Sequence, residues 1–174
     1  MSALWDAIVY EYGRTATPFA EIALRLFLAA GLAGVIGLER ELKQRAAGLR
    51  THMLIGLASA TFTIAALELF HLLSAMETDT PNADPIRVME AITAGVAFLA
   101  AGAVIRSGTN IKGLTTGAGM WLAGSIGLVA GLGLYGFAVL TALLGLFVLW
   151  ILRMVERLTT KADDESDSGG GGKG

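Results

Sequence analysis

Five long runs of apolar residues, separated by short polar segments, dominate the chain. Each run can cross about 30 Å of hydrocarbon as a helix, which takes roughly 20 residues at 1.5 Å per residue. The runs are continuous and rich in leucine and alanine, whereas the strands of a membrane barrel alternate in polarity. The pattern predicts an all-α membrane protein, a bundle of five transmembrane helices over residues 19–39, 49–73, 86–105, 114–133 and 135–157.

The composition supports a membrane protein, because 54% of the residues are apolar and only 16% are charged. We expect residues 19–157 to form a single transmembrane domain. Residues 1–18 lack the basic start of a signal peptide and are predicted to be a periplasmic segment whose aromatic residues favour an interfacial helix. The polar, glycine-rich residues 158–174 are predicted to be a disordered cytoplasmic tail.

Lysine and arginine lie mainly on one side of the predicted bundle. The other side has Arg14, Arg25 and Arg87, which five acidic residues outnumber. Cytoplasmic loops carry the excess of positive charge, so we expect the N-terminus outside and the C-terminus in the cytoplasm of a multi-pass inner-membrane protein. The cations assigned to the cytoplasmic side are Arg40, Lys43, Arg45, Arg50, Arg106, Lys112, Arg153, Arg157 and Lys161.

Small residues are concentrated in predicted helices 1, 3 and 4. In lipid, small side chains let helix backbones approach closely, which favours tight packing within one chain. The alternative is a homodimer or partner face, for which Gly127 and Gly131 have the right spacing of four residues. The small-residue positions are Gly31, Gly34, Gly37, Gly95, Ala97, Ala101, Gly102, Gly117, Gly119, Gly124, Gly127 and Gly131.

Two related basic blocks stand at the starts of predicted helices 2 and 4. Residues 40–52 contain Gly-Leu-Arg-Thr at 48–51, and residues 106–116 contain the weaker copy Gly-Leu-Thr-Thr at 113–116. This echo suggests an internal duplication, in which helices 1 and 2 match helices 3 and 4 as parallel hairpins. Both helix N-termini then present unpaired N–H groups and positive dipole ends to the cytoplasm.

The two blocks are a candidate binding surface for an anionic ligand, a lipid headgroup or an acidic partner segment. Helix N-termini and full positive charges both favour such groups. The alternative is that the cations only enforce topology and reach anionic lipid. The predicted binding residues from the blocks are Arg40, Arg50, Thr51, Arg106, Lys112, Thr115 and Thr116.

Two long motifs that include these blocks resemble the signatures of the MgtC/SapB family of membrane proteins. The resemblance extends over roughly residues 20–157. The first motif occupies residues 33–40 and 47–52, and the second occupies residues 97–106 and 110–116 with Trp121. The sequence departs from the family pattern at Ala97, Ala100 and residues 117–119, which alters packing more than chemistry.

The resemblance implies a bacterial inner-membrane protein linked to magnesium limitation and virulence. It also implies a regulatory or interaction role, with F-type ATP synthase as the membrane partner of some members; a homo-oligomer is left open. Asn110 matches a position regarded as functional in the family, so it joins the predicted binding residues. Virulence-type members carry a soluble C-terminal domain, which we expect this chain to lack.

A transporter or channel for Mg²⁺ or another ion is the alternative function. Mg²⁺ prefers oxygen ligands, often carboxylates, and no Asp or Glu lies midway along a predicted helix. A weak candidate metal site combines Glu68, His71 and Glu90 at the outer rim, although local pairing at helix ends is the simpler interpretation. Glu21 and Arg25, four residues apart in helix 1, are predicted to form such a local pair.

Enzymatic activity has little support in the sequence. His52 and His71 fall at opposite membrane faces, cysteine is absent, and no metal-ligand or phosphate-loop spacing occurs. We therefore expect a protein without catalytic activity or a cofactor. His52, next to several arginines, is interpreted as a solvated neighbour of the basic block.

Overall fold

The computed structural model describes residues 15–75, 84–107 and 110–168. Within them the chain forms five α-helices and one short antiparallel hairpin, so the predicted all-α class with five helices is confirmed. The predicted interfacial helix in residues 1–18 lies almost entirely outside the described part. The elements are α1 (Phe19–Leu42), α2 (Leu49–Ala75), α3 (Pro85–Gly102), β1 (Ile105–Ser107), β2 (Asn110–Lys112), α4 (Leu114–Gly131) and α5 (Tyr135–Ser168).

Three of these helices, α1, α2 and α4, are long and apolar enough to cross a membrane. The N-terminal part of α5, Tyr135–Ile151, is a shorter apolar stretch. Large apolar side chains cover the outside of the bundle, and Phe27 and Phe98 are 79% and 80% exposed. Monomeric soluble proteins rarely show such continuous apolar surfaces, whereas lipid tails solvate them without cost.

Helices α1, α2 and α4 form the centre of the bundle. The most extensive contacts join α1 to α2 and α2 to α4, while α3 packs from outside mainly on α4, and α5 packs on both α4 and α1. The central side chains are mostly small, which lets three backbones lie close together and gain dispersion contacts over their length. Fully buried alanines mark this centre: Ala29, Ala33, Ala60, Ala123 and Ala130.

The glycines of α4 confirm tight packing within the chain. A Cβ on Gly127 would lie 2.2 Å from the Gly56 carbonyl oxygen, and one on Gly131 would lie 2.9 Å from the Ala60 carbonyl oxygen. Both glycines thus serve contacts with α2 inside the bundle and are not available as a dimer face. At three other glycines of the predicted pattern, an added Cβ would have no described atom within 4 Å. These are Gly31, Gly95 and Gly102.

Arg25, which is paired within α1, also fastens that helix to the end of α4. The Arg25 guanidinium lies 2.5 Å from the Glu21 carboxylate, which confirms the predicted pair. The same guanidinium donates to the Gly131 carbonyl oxygen at 2.8 Å. A cation is favourable at a helix C-terminus because unpaired carbonyls make that end negative.

The C-terminal end of every helix differs from the prediction, by two or three residues in α1 to α4 and by eleven in α5. Helix α5 continues to Ser168, whereas the sequence analysis ended it at residue 157 and assigned a disordered tail from 158. Residues 158–168 contain neither glycine nor proline, so no backbone preference stops the helix before the glycine run. Helix α3 ends at Gly102 and not at 105, because the β-branched Val104 and Ile105 lead into the hairpin.

Candidate functional site

Both α2 and α4 begin at the same end of the bundle. This end carries Arg40, Lys43, Arg45, Arg50 and Lys112, and we call it the basic end. Arg40 is buried there, whereas the other four cations are exposed. The positions of these cations follow the predicted division of charge between the two sides of the bundle.

The N-terminus of α2 is capped by an acidic side chain from α1. The Glu41 carboxylate accepts a hydrogen bond of 2.7 Å from the Leu49 backbone N–H. Gly48 permits this approach, since a Cβ there would lie 2.1 Å from the Glu41 carboxylate oxygen. An internal anion therefore occupies one of the two predicted anion sites, while Arg50 is exposed and Thr51 is half-buried beside it.

Glu41→Ala is expected to destabilise the start of α2. Loss of a capping side chain costs about 1 kcal/mol, because it leaves a helix N–H without its partner. Lys43→Ala changes an exposed neighbour outside the cap and serves as the control. Thermal unfolding in detergent should show a lower midpoint for the Glu41 variant alone, and equal midpoints would contradict the capping role.

The N-terminus of α4 has a different construction. Gly113 precedes the helix with a φ of 91°, and no described side chain caps the first turn. The hairpin holds this turn in place, because Ile105 pairs with Lys112 in its antiparallel register. Lys112 and Thr115 are exposed at this end. The second predicted anion site is therefore open.

Arg40 of α1 reaches the first turn of α4 from inside the bundle. Its side chain is only 5% exposed, and its Nη2 donates to the Thr116 hydroxyl at 3.3 Å. Its Nε has no hydrogen-bond partner, and among the described residues no carboxylate forms a salt bridge with it. A buried cation is costly unless it is paired and hydrogen-bonded. This guanidinium therefore has unused capacity to bind an anion.

His52 lies in the same part of the bundle and is fully buried. Its Nδ1 is 2.9 Å from the Gly48 carbonyl oxygen, and no described group pairs with its Nε2. The expectation of a solvated histidine is wrong, because glycines leave room for the ring between three helices. A Cβ on Gly37 would lie 2.8 Å from the His52 Cβ, and one on Gly119 would lie 3.2 Å from Nε2.

The structure gathers part of the predicted binding set. Arg40 and Thr116 are in contact, and Lys112 and Thr115 flank them at the start of α4. Arg106 and Asn110 lie in the two paired strands, and their side chains are outside the described part of the structure. Sequence reasoning missed Glu41, for which the signal was an acidic residue inside a basic block shortly before a glycine, and it did not foresee the burial of His52.

The predicted metal residues are not brought together. In the described parts of the chain, no three acidic or histidine side chains form a group that could hold a metal ion. The Glu68 carboxylate instead accepts backbone hydrogen bonds from Ala16 at 2.7 Å and Thr17 at 2.9 Å. It thereby ties the segment before α1 to α2, while His71 and Glu90 are exposed.

The arrangement at the basic end falls within a region shared with known proteins. A model of the MgtC family matches residues 26–158, which is most of the chain and includes every residue of the two basic blocks. The chain belongs to the MgtC family. This membership confirms the family resemblance that the two sequence motifs indicated.

The chain is also similar in sequence to individual named proteins. The protein named "Putative magnesium transporter YhiD" of Escherichia coli K12 is 38% identical over 136 residues, which are 78% of this chain and 62% of YhiD. Protein MgtC of Brucella abortus (strain 2308) is 35% identical over 136 residues, 78% of this chain and 53% of its own length. The chain thus spans between half and two thirds of these relatives. No solved structure matches it.

Proposed function

We propose that this chain is a membrane regulatory or interaction protein of the MgtC type, linked to magnesium limitation, that binds an anionic group at its basic end. The binding group is the open N-terminus of α4 together with Arg40, Thr116, Lys112 and Thr115. Arg50 and Thr51 lie beside the capped N-terminus of α2 and contribute less to binding of the anionic group. Arg106 and Asn110 belong to the proposed surface through their place in the hairpin.

One observation carries the proposal: Arg40 is buried with no carboxylate partner among the described residues, and it donates to the Thr116 hydroxyl in the first turn of a helix that no described side chain caps. The guanidinium contributes a full charge, and the helix end contributes N–H donors and a partial positive charge. At the α2 N-terminus, the Glu41 carboxylate accepts a hydrogen bond from the Leu49 N–H, and this internal contact supports the proposal. A carboxylate or phosphate oxygen at α4 would make the equivalent contact and offset the desolvation of Arg40.

The proposal includes an orientation in the bacterial inner membrane. The basic end faces the cytoplasm, because positively charged loops are retained on that side during insertion. The end with Glu21, Arg25 and Glu68 then faces outward. F-type ATP synthase, the partner implied by the family resemblance, is a candidate source of an acidic segment for this site.

Growth under magnesium limitation tests the role of the site. A strain deleted for its own family protein would express the wild type, Arg40→Gln, Thr116→Val or Arg45→Gln at membrane levels matched by immunoblot. Loss of a hydrogen bond to a charged group costs about 1.5–3 kcal/mol, so affinity for the anionic group should fall roughly tenfold or more in the first two variants, and growth rescue should fall with it. Arg45→Gln removes an exposed cation and should rescue normally. Full rescue by Arg40→Gln would refute the proposal.

Magnesium transport is the second candidate, and the name of the E. coli relative favours it. Purified protein in liposomes that contain a Mg²⁺-sensitive dye would show saturable uptake if the chain were a transporter. Under our proposal, the rate equals that of protein-free liposomes. Saturable uptake that is reduced by Glu68→Gln would establish transport. It would also show that the carboxylates at the outer end belong to the functional site.

A further inference from the structure

A long apolar groove runs between α4 and α5. Its volume is about 690 Å³, and it is lined mainly by apolar side chains. The two helices touch at Gly145, where a Cβ would lie 2.4 Å from the Leu122 side chain. Away from that contact the groove is open to the outside of the bundle. Its main lining residues are Ala118, Trp121, Leu122, Leu144, Val148 and Leu149.

The groove begins at the open N-terminus of α4. Leu114 and Thr115, the first residues of that helix, form its lining at the basic end, and Ser125 lies near the other limit. At 1.5 Å per residue this stretch is about 16 Å long, which is close to the thickness of one leaflet of a ~30 Å hydrocarbon core. The groove therefore lies in the leaflet next to the basic end.

The apolar groove, of leaflet length, thus reaches the first turn of α4, where the proposed anion site lies. A soluble phosphate would use only the charged part, and an acidic peptide would leave the apolar groove unfilled. A phospholipid has both parts in the same order, a phosphate at the membrane surface and acyl chains beneath it. Basic residues at membrane surfaces attract such anionic headgroups.

We propose that an anionic phospholipid binds here, with its phosphate at the α4 N-terminus and one acyl chain in the α4–α5 groove. The inference rests on the anion site of the proposed function and names the ligand class of that site. Arg40 and Lys112 contact or attract the phosphate, and the N–H groups of the first turn of α4 donate to it. Ala118 and Trp121 contact the acyl chain.

A second groove, between α2 and α3, provides a matched comparison. It has a volume of about 470 Å³, and its lining is almost entirely apolar. No open helix N-terminus adjoins it, because Glu41 caps α2 and the basic end of α3 is a C-terminus. Lipid tails can lie in it, but nothing there selects an anionic headgroup. Its exposed small residues include Ala58 and Ala91.

Native mass spectrometry of the full chain in detergent tests the proposal. The probes are phosphatidylglycerol, phosphatidylcholine with the same acyl chains, and inorganic phosphate. Phosphatidylglycerol adducts should predominate, and Lys112→Gln should weaken them roughly fivefold, as expected for one surface cation. Ala118→Trp, which fills the groove, should reduce them to the level of phosphatidylcholine. Ala91→Trp in the other groove should leave them unchanged.

The outcomes separate the lipid from the anion site itself. Equal binding of the two lipids, or full phosphatidylglycerol binding by Ala118→Trp, would overturn the lipid assignment. Inorganic phosphate that binds in a Lys112-dependent way, with phosphatidylglycerol binding that does not depend on Lys112, would overturn it too, while the proposed function would stand. If neither Lys112→Gln nor Arg40→Gln changes the binding of any probe, the anion site and the lipid assignment both fail.

Discussion

Gly127→Ala is expected to separate α2 from α4 and to prevent assembly of a stable bundle. The new Cβ would lie 2.2 Å from the Gly56 carbonyl oxygen and 2.8 Å from the Gly56 Cα. Both atoms belong to the backbone, so no change of side-chain rotamer relieves the overlap. Overpacking of a close contact costs about 1–3 kcal/mol, and here it disrupts the central contact on which three helices converge.

Gly95→Ala is the control for this prediction. A Cβ at that position meets no described atom within 4 Å, and alanine has the higher helix propensity. Fluorescence-detected gel filtration after heating in detergent should show early loss of the monodisperse peak for Gly127→Ala. The Gly95 variant should be at least as stable as the wild type. Equal stability of the two variants would mean that α2 and α4 do not meet at Gly127.

The helices were predictable because their determinants are local. In lipid each spanning segment must satisfy its own backbone hydrogen bonds, so a run of about 20 apolar residues becomes a helix whatever lies beside it. The starts of α1, α2, α4 and α5 were predicted at the correct residue. The short hairpin was not predicted, since three-residue strands carry no periodic signal and depend on each other for pairing.

The binding site was only partly predictable, because it depends on contacts between residues that are far apart in the sequence. The sequence places a cation at Arg40 but does not show that its side chain turns inward to Thr116, 76 residues away along the chain. The two basic blocks looked alike, yet Glu41 caps one helix while the other has no described side-chain cap. Burial of His52 likewise depends on glycines from two other helices.

Gly113→Ala is the second substitution for which we expect a large loss of stability and function. Two features of the open N-terminus of α4 contribute to that loss. Gly113 has a φ of 91°, a region that costs an L-residue roughly 1–2 kcal/mol. In addition, a Cβ would lie 2.2 Å from the Ala103 carbonyl oxygen. The variant should therefore displace the hairpin from the end of α3, with loss of both thermal stability and growth rescue under magnesium limitation.

Two further variants separate these causes. Asparagine tolerates the left-handed region better than alanine but still carries a Cβ, so Gly113→Asn relieves the dihedral cost and keeps the collision with Ala103. If the carbonyl contact dominates, the asparagine variant fails as alanine does. Gly102→Ala, close by at the end of α3, meets no described atom and should behave as wild type. Wild-type stability and rescue for Gly113→Asn would contradict the close approach, because a turn limited by φ alone tolerates asparagine.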